Sequence, residues 1–146
     1  MRIKLLGHVV LRVTDLARSE DFYTGVLGIP VCARYAQDGI KATFYTLGNH
    51  HDLAIMEVTG EGSSDGDQSV GLDHVAFCIG SSLEELKDAK AQLAEVGISS
   101  EAADHEVTQS LYLSDPDGNG VELYVDVSDA WRTDPQRIAQ EQPLEI

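Results

Sequence analysis

Residues 7–28 read GHVVLRVTDLARSEDFYTGVLG, and residues 72–97 read LDHVAFCIGSSLEELKDAKAQLAEVG. The two stretches follow one plan. In the first, Val9, Leu11 and Val13 alternate with His8, Val10 and Arg12, the period of two expected of a strand with one buried face. Thr14 or Asp15 can then cap a helix whose Leu16, Ser19, Tyr23, Val26 and Leu27 recur near helical spacing, and Gly28 ends it. In the second, Val75, Phe77 and Ile79 alternate with His74, Ala76 and Cys78. Ser82 and Glu85 are spaced as a capping box, and Leu83, Leu86, Ala89, Leu93 and Val96 form one stripe before Gly97.

Each stretch is followed by further strand-like runs. KATFYTL (41–47) and HDLAIMEV (51–58) flank Gly48-Asn49, while SLYLS (110–114) and GVELYVD (120–126) flank DPDGN (115–119). The run GEGSSDGDQSVG (60–71) has linker composition. The expected fold is therefore α+β, two copies of a βαβββ module. The first spans about 3–60, a linker covers 60–70, the second spans about 71–127, and 128–146 form a tail. Residues 33–41 are expected as a loop.

Repeat position singles out candidate site residues. His8 and His74 take the same place in their first strands, 66 residues apart. Glu57 and Glu122 are read as a second matched pair in the last strands, 65 apart. Strand parity points the histidines, Glu122, Tyr112 and Tyr124 away from the face that covers the helices. Polar groups then collect in a cleft. An ionised Glu122 between Val121 and Leu123 needs a partner, and a divalent cation held with His8 and His74 is one. DPDGNG also copies the opening of an EF-hand loop. Strands on both sides, and Asp126 where that loop needs glutamate, make it a hairpin turn instead.

With 146 residues and 42% hydrophobic content, the chain suits one globular domain. No apolar run approaches the roughly 18 residues of a membrane helix, and no signal peptide is read at MRIKLLGHVV. The two cysteines, Cys32 and Cys78, are expected to be reduced, in a cytoplasmic protein. A formal net charge of −15 disfavours nucleic acid and anionic membranes as partners. The acid serves solubility, with some of it available to attract a cation.

GHVVLRVTDLARSEDFYTGVLG and DPDGNGVELY, with the duplicated plan, resemble the vicinal oxygen chelate superfamily over residues 3 to about 127. That family comprises glyoxalase I, bleomycin and fosfomycin resistance proteins, methylmalonyl-CoA epimerase and type I extradiol dioxygenases. The resemblance implies a U-shaped mixed sheet around a metal-binding cleft. Within the family the chain looks most like catechol 2,3-dioxygenase-like enzymes of aromatic compound degradation. It thereby implies metal ligands at His8, His74 and Glu122, Fe(II) as cofactor, and an aromatic diol and O2 as substrates. It likewise implies catalytic roles for His51 (near O2), His105 (beside substrate) and Tyr112, which lies ten residues before Glu122. His50 reads as an exposed loop residue.

Two other functions compete. A glyoxalase- or epimerase-like enzyme would take Glu57 as a fourth ligand. A drug-binding resistance protein would need no metal, against which the two histidines and Glu122 count. Mn(II), Zn(II) or Ni(II) can fill similar ligand sets. A homodimer is the expected assembly, and the tail is expected to dock on a partner subunit, shield the cleft, or stay disordered.

Overall fold

The computed structural model describes residues 5–59 and 72–146; the linker expected at 60–70 lies outside them. The architecture is α+β with two mixed sheets. β1 (Val9–Val13), helix α1 (Leu16–Glu20), β2 (Val31–Gln37), β3 (Ile40–Tyr45) and β4 (Leu53–Glu57) make the first module. β5 (His74–Gly80), helix α2 (Leu83–Glu95), β6 (Glu101–Asp104), β7 (Thr108–Ser114) and β8 (Gly120–Asp126) make the second. The tail adds two short 3-10 turns and β9 (Gln142–Pro143). The strand orders are β1-β4-β3-β2 and β5-β8-β7-β6-β9. In each sheet the first and last strands of the module run parallel, and the remaining neighbours are antiparallel.

By packing, the described residues up to 59 group with the 115–118 turn in one unit, and the other described residues from 72 onward form another. The first unit's core holds Leu11, Val13, Phe22, Tyr23, Tyr45, Leu53 and Ile55. Its turn residues are tied in by polar contacts. The Tyr23 hydroxyl donates to Asp115 over 2.9 Å, and Asp117 accepts from the Thr14 backbone N–H at 3.0 Å and pairs with Arg18 at 2.7 Å. The carboxylates of DPDGN are thus used in packing, as a hairpin turn rather than a calcium loop. The second unit buries Leu86, Leu93, Leu111, Leu113, Val121, Leu123 and Val125.

Local structure departs from the sequence expectation at several points. Asp15 caps α1, accepting from the Arg18 N–H, but the helix widens to π geometry over 21–26 before Gly28 takes φ +69°. That widening places Phe22 and Tyr23 in the core and leaves Val26 exposed. The expected 33–41 loop is a β2–β3 hairpin, turned at Asp38-Gly39 with positive φ at both residues. In α2 the Ser82–Glu85 capping box forms, but Val96 falls past the stripe and is exposed. A register shift between Cys78 and Gly80 turns Ile79 outward. Both cysteines are free and exposed. Residues 142–143 of the tail pair with β6 of the same chain.

Candidate metal centre and proton-carrying groups

The second module carries a connected polar set on one face of β5, β7 and β8. Ladder partners share a face, so Tyr112 opposite Glu122, and Ser110 opposite Tyr124, place four side chains together. On the other face Leu111 opposes Leu123 and Leu113 opposes Val121, all buried. His74 enters from β5, its Nε2 3.0 Å from Glu122 Oε2. The Asp73 carboxylate lies 2.6 Å from the other ring nitrogen, Nδ1, which fixes the imidazole's orientation. The buried Ser110 hydroxyl donates to Glu122 Oε1 over 2.6 Å. Gly120 makes this approach feasible: a Cβ there would sit 2.2 Å from the Asp73 carbonyl and 3.0 Å from the His74 Cβ.

Glu122 is largely buried, and the group facing it is an imidazole nitrogen rather than a fixed cation. A divalent cation at the Nε2–Oε2 gap would balance the charge using both atoms, with Asp73 and Ser110 already holding the ligands from behind. This donor pair fits a divalent metal.

Beside it, His105 and Tyr112 are joined by a hydrogen bond. The Gln140 backbone carbonyl lies 3.0 Å from His105 Nδ1, and a carbonyl only accepts, so Nδ1 carries the hydrogen. In the neutral ring Nε2 then accepts from the Tyr112 hydroxyl, 2.8 Å away. Burial, reinforced by the Glu122 charge, pushes the Tyr112 phenol up to about 12, so it stays a donor at neutral pH. The His74 and Tyr112 rings meet edge-on at 5.6 Å.

The first module brings His8 and His51 together with ring centroids 4.1 Å apart, and His50 4.6 Å from His51. Phe44 backs His51 edge-on at 5.3 Å. Burial, then the neighbouring His8 and His50, lowers the His51 pKa and favours its neutral form. Of the residues singled out from sequence, His8 and His51 therefore meet in one unit, and His74, Glu122, His105 and Tyr112 meet in the other.

Glu57 corrects an expectation. Val9 pairs with Leu53 and Val75 with Val121, so the residue equivalent to Glu122 is Ala54 and the equivalent of Glu57 is Val125. Glu57 shares the helix-facing side with Val13, where Lys41 Nζ sits 2.6 Å from its Oε1 and the Leu16 N–H donates to Oε2 over 3.2 Å. Those two contacts, the Lys41 bond foremost, hold its pKa below the usual carboxylate range. It does not face the side on which Glu122 lies in its own module.

Sequence reasoning missed Asp73, Ser110 and Asn49. Strand parity had the signal for Ser110, two residues before Tyr112. Asp73 was visible as the residue preceding His74.

The sequence profile of the Glyoxalase/Bleomycin resistance protein/Dioxygenase superfamily matches residues 5–123. A catechol-2,3-dioxygenase of Bacillus subtilis is 36% identical over 122 residues, 83% of this chain and 41% of that protein. A biphenyl-2,3-diol 1,2-dioxygenase of Rhodococcus globerulus is 36% identical over 124 residues, 83% of this chain and 63% of that protein. The chain thus spans less than two thirds of either dioxygenase. A lactoylglutathione lyase of Neisseria meningitidis is 28% identical over 121 residues, 81% of this chain and 88% of that protein. Among solved structures, a glyoxalase/bleomycin resistance protein/dioxygenase domain from a Frankia species superposes with TM-score 0.70 at 24% identity. That match covers 86% of this chain and 99% of the other, and it establishes the shared fold.

Proposed function

The chain belongs to the Glyoxalase/Bleomycin resistance protein/Dioxygenase superfamily, and from that premise we propose that it is an extradiol dioxygenase opening a catechol-like ring with O2, with Fe(II) held by His8, His74 and Glu122. The observation that carries this reading is the His74–Glu122 pair, 3.0 Å apart and braced by Asp73 and Ser110. Two histidines and one carboxylate leave coordination positions open, which suits a metal that must take both oxygens of a diol and still admit O2. When bound, Fe(II) supplies Lewis acidity toward the diol oxygens and electrons for O2.

The chain's own residues handle protons and position. Cleavage beside the diol breaks one ring C–C bond and places both atoms of O2 in the product, while the diol protons move to acceptors. His105, its Nδ1–H anchored on Gln140, offers Nε2 as an acceptor through Tyr112. Tyr112, protonated at neutral pH, is suited to donate a hydrogen bond to a diol oxygen. His51, favoured in its neutral form, is the base candidate in the first module.

A lyase reading has support in the lactoylglutathione lyase relative, yet its fourth ligand on this chain was to be Glu57, and Lys41 and the Leu16 N–H engage that carboxylate. The deciding experiment loads the chain with Fe(II) anaerobically and follows O2 uptake and ring-opened product across simple and substituted catechols. A parallel assay without O2 uses a glutathione hemithioacetal. Ring-opened product matching O2 consumed supports the proposal. No uptake with any catechol, or turnover of the hemithioacetal alone, overturns it.

A further inference from the structure

We propose that His8, His50 and His51 form an alternative cation site in the first module, taking one borderline divalent ion of the Zn(II), Ni(II) or Cu(II) class. The three residues offer ring nitrogens that all lie within 4.8 Å of one another. Around a tetrahedral metal with Zn–N bonds of about 2.0–2.1 Å, ligand nitrogens stand about 3.3 Å apart. Closing the group from 4.8 Å requires roughly 1.5 Å of approach, which the exposed His8 side chain can supply while Asn49 holds His50.

The loop carrying two of the ligands is built for position. Asp52 Oδ2 accepts from the Leu47 and Asn49 N–H groups at 2.6 and 3.3 Å, and the Thr46 hydroxyl donates to the Asn49 carbonyl at 2.6 Å. Asn49 then orients both sides of the site. Its Oδ1 accepts from the His50 backbone N–H at 2.9 Å and from His50 Nδ1 at 3.0 Å. Nδ1 therefore carries the hydrogen, and Nε2 keeps the lone pair a metal needs. The same side chain's Nδ2 donates to the Gly7 carbonyl over 3.4 Å, tying the loop to the residue before His8. Asn49 is thus a second-layer support of the kind that fixes ligand tautomer and direction.

Three neutral imidazoles without a carboxylate favour Cu(II), Ni(II) and Zn(II) over Fe(II). The site shares His8 with the iron centre, so filling it would remove that ligand and inhibit. The inhibitory consequence rests on the dioxygenase reading; the cation site does not.

The test uses the full chain with His74→Ala and Glu122→Gln, which removes the second module's donors, titrated calorimetrically with Zn(II). One equivalent is expected to bind with a micromolar Kd. Adding His50→Ala weakens it at least ~10-fold and adding Asn49→Ala weakens it measurably, because a ligand and its support are lost. Adding His105→Ala, another half-buried histidine, leaves it unchanged. On the wild-type chain, histidine side-chain NMR during Zn(II) addition gives a second measurement, with the His8, His50 and His51 resonances moving together. No binding by the double variant, unaltered binding after His50→Ala, or wild-type resonances of this trio that stay still would each overturn the site. Failure here leaves O2 uptake untouched, and absence of O2 uptake leaves this titration untouched.

Discussion

The two modules share topology strand for strand, yet at the position equivalent to Glu122 the first carries Ala54. The second module pairs its strand histidine with a carboxylate and braces both from behind. The first surrounds its histidine with two more from a pinned loop. The shared strand order thus carries different side chains at equivalent positions. Under the proposed dioxygenase reading, the asymmetry leaves Glu122 as a carboxylate ligand with none at the equivalent position, Ala54.

The sharpest way to break this comparison is to remove the carboxylates one at a time. Glu122→Ala is expected to abolish stoichiometric Fe(II) binding and bring O2 uptake to background while circular dichroism stays native. Glu57→Ala should keep full iron and lose only some thermal stability, through Lys41 and the α1 N-terminus. Equal iron loss in both variants would restore the matched-pair view.

Next come the proton carriers, one from each module. His51→Ala and His105→Ala are expected to retain iron and lose roughly 100-fold in turnover, the scale of general acid–base residues. Tyr112→Phe should slow the reaction less than either. Normal turnover in both histidine variants would spare the metal centre and sink these roles. Asp73→Asn probes the carboxylate bracing of His74, and iron affinity should fall about 10–100-fold as for other outer ligand supports; an unchanged iron titration would make Asp73 a bystander.

The smallest effect concerns acid stability of the first unit. Burial alone would push the Asp117 carboxyl up, but hydrogen bonds from Thr14 and the Arg18 charge bring it below its ordinary value. A depressed carboxyl contributes stability that is complete above its unfolded pKa and lost as pH falls through the lower folded one. Denaturant midpoints of the wild type should therefore decline through the acid range. Asp117→Asn should start lower at neutral pH and decline less.

Much of this was legible from residue patterns. Periods of two and of about 3.6 located both modules, both helix caps and the inward parity of Glu122 and Tyr112, because burial of one face imposes those periods. Glu57 misled for a specific reason. The modules are offset by 66 residues at their first strands but by 68 at their last, so Glu57, 65 residues before Glu122, lies three residues past the true partner, Ala54. Only ladder register reveals that shift. The β2–β3 hairpin was signalled by Asp38-Gly39, but VCARYAQ is an exposed edge strand without clean alternation. The anchoring of His105 depends on the Gln140 carbonyl, a tail backbone atom that no side-chain pattern encodes.

The two residues of β9 have a consequence for how the chain keeps to itself. Without them β6 would end the second sheet with unpaired N–H and C=O groups, an invitation for another chain's strand to add on. The tail lies along that edge and is fastened by Arg137 to Glu106 at 2.6 Å and by Lys90 to the Ile146 carbonyl at 2.9 Å. A chain clipped by a protease within residues 128–140 would lose this cover while its core stayed folded. Its first fault would then be aggregation, not unfolding.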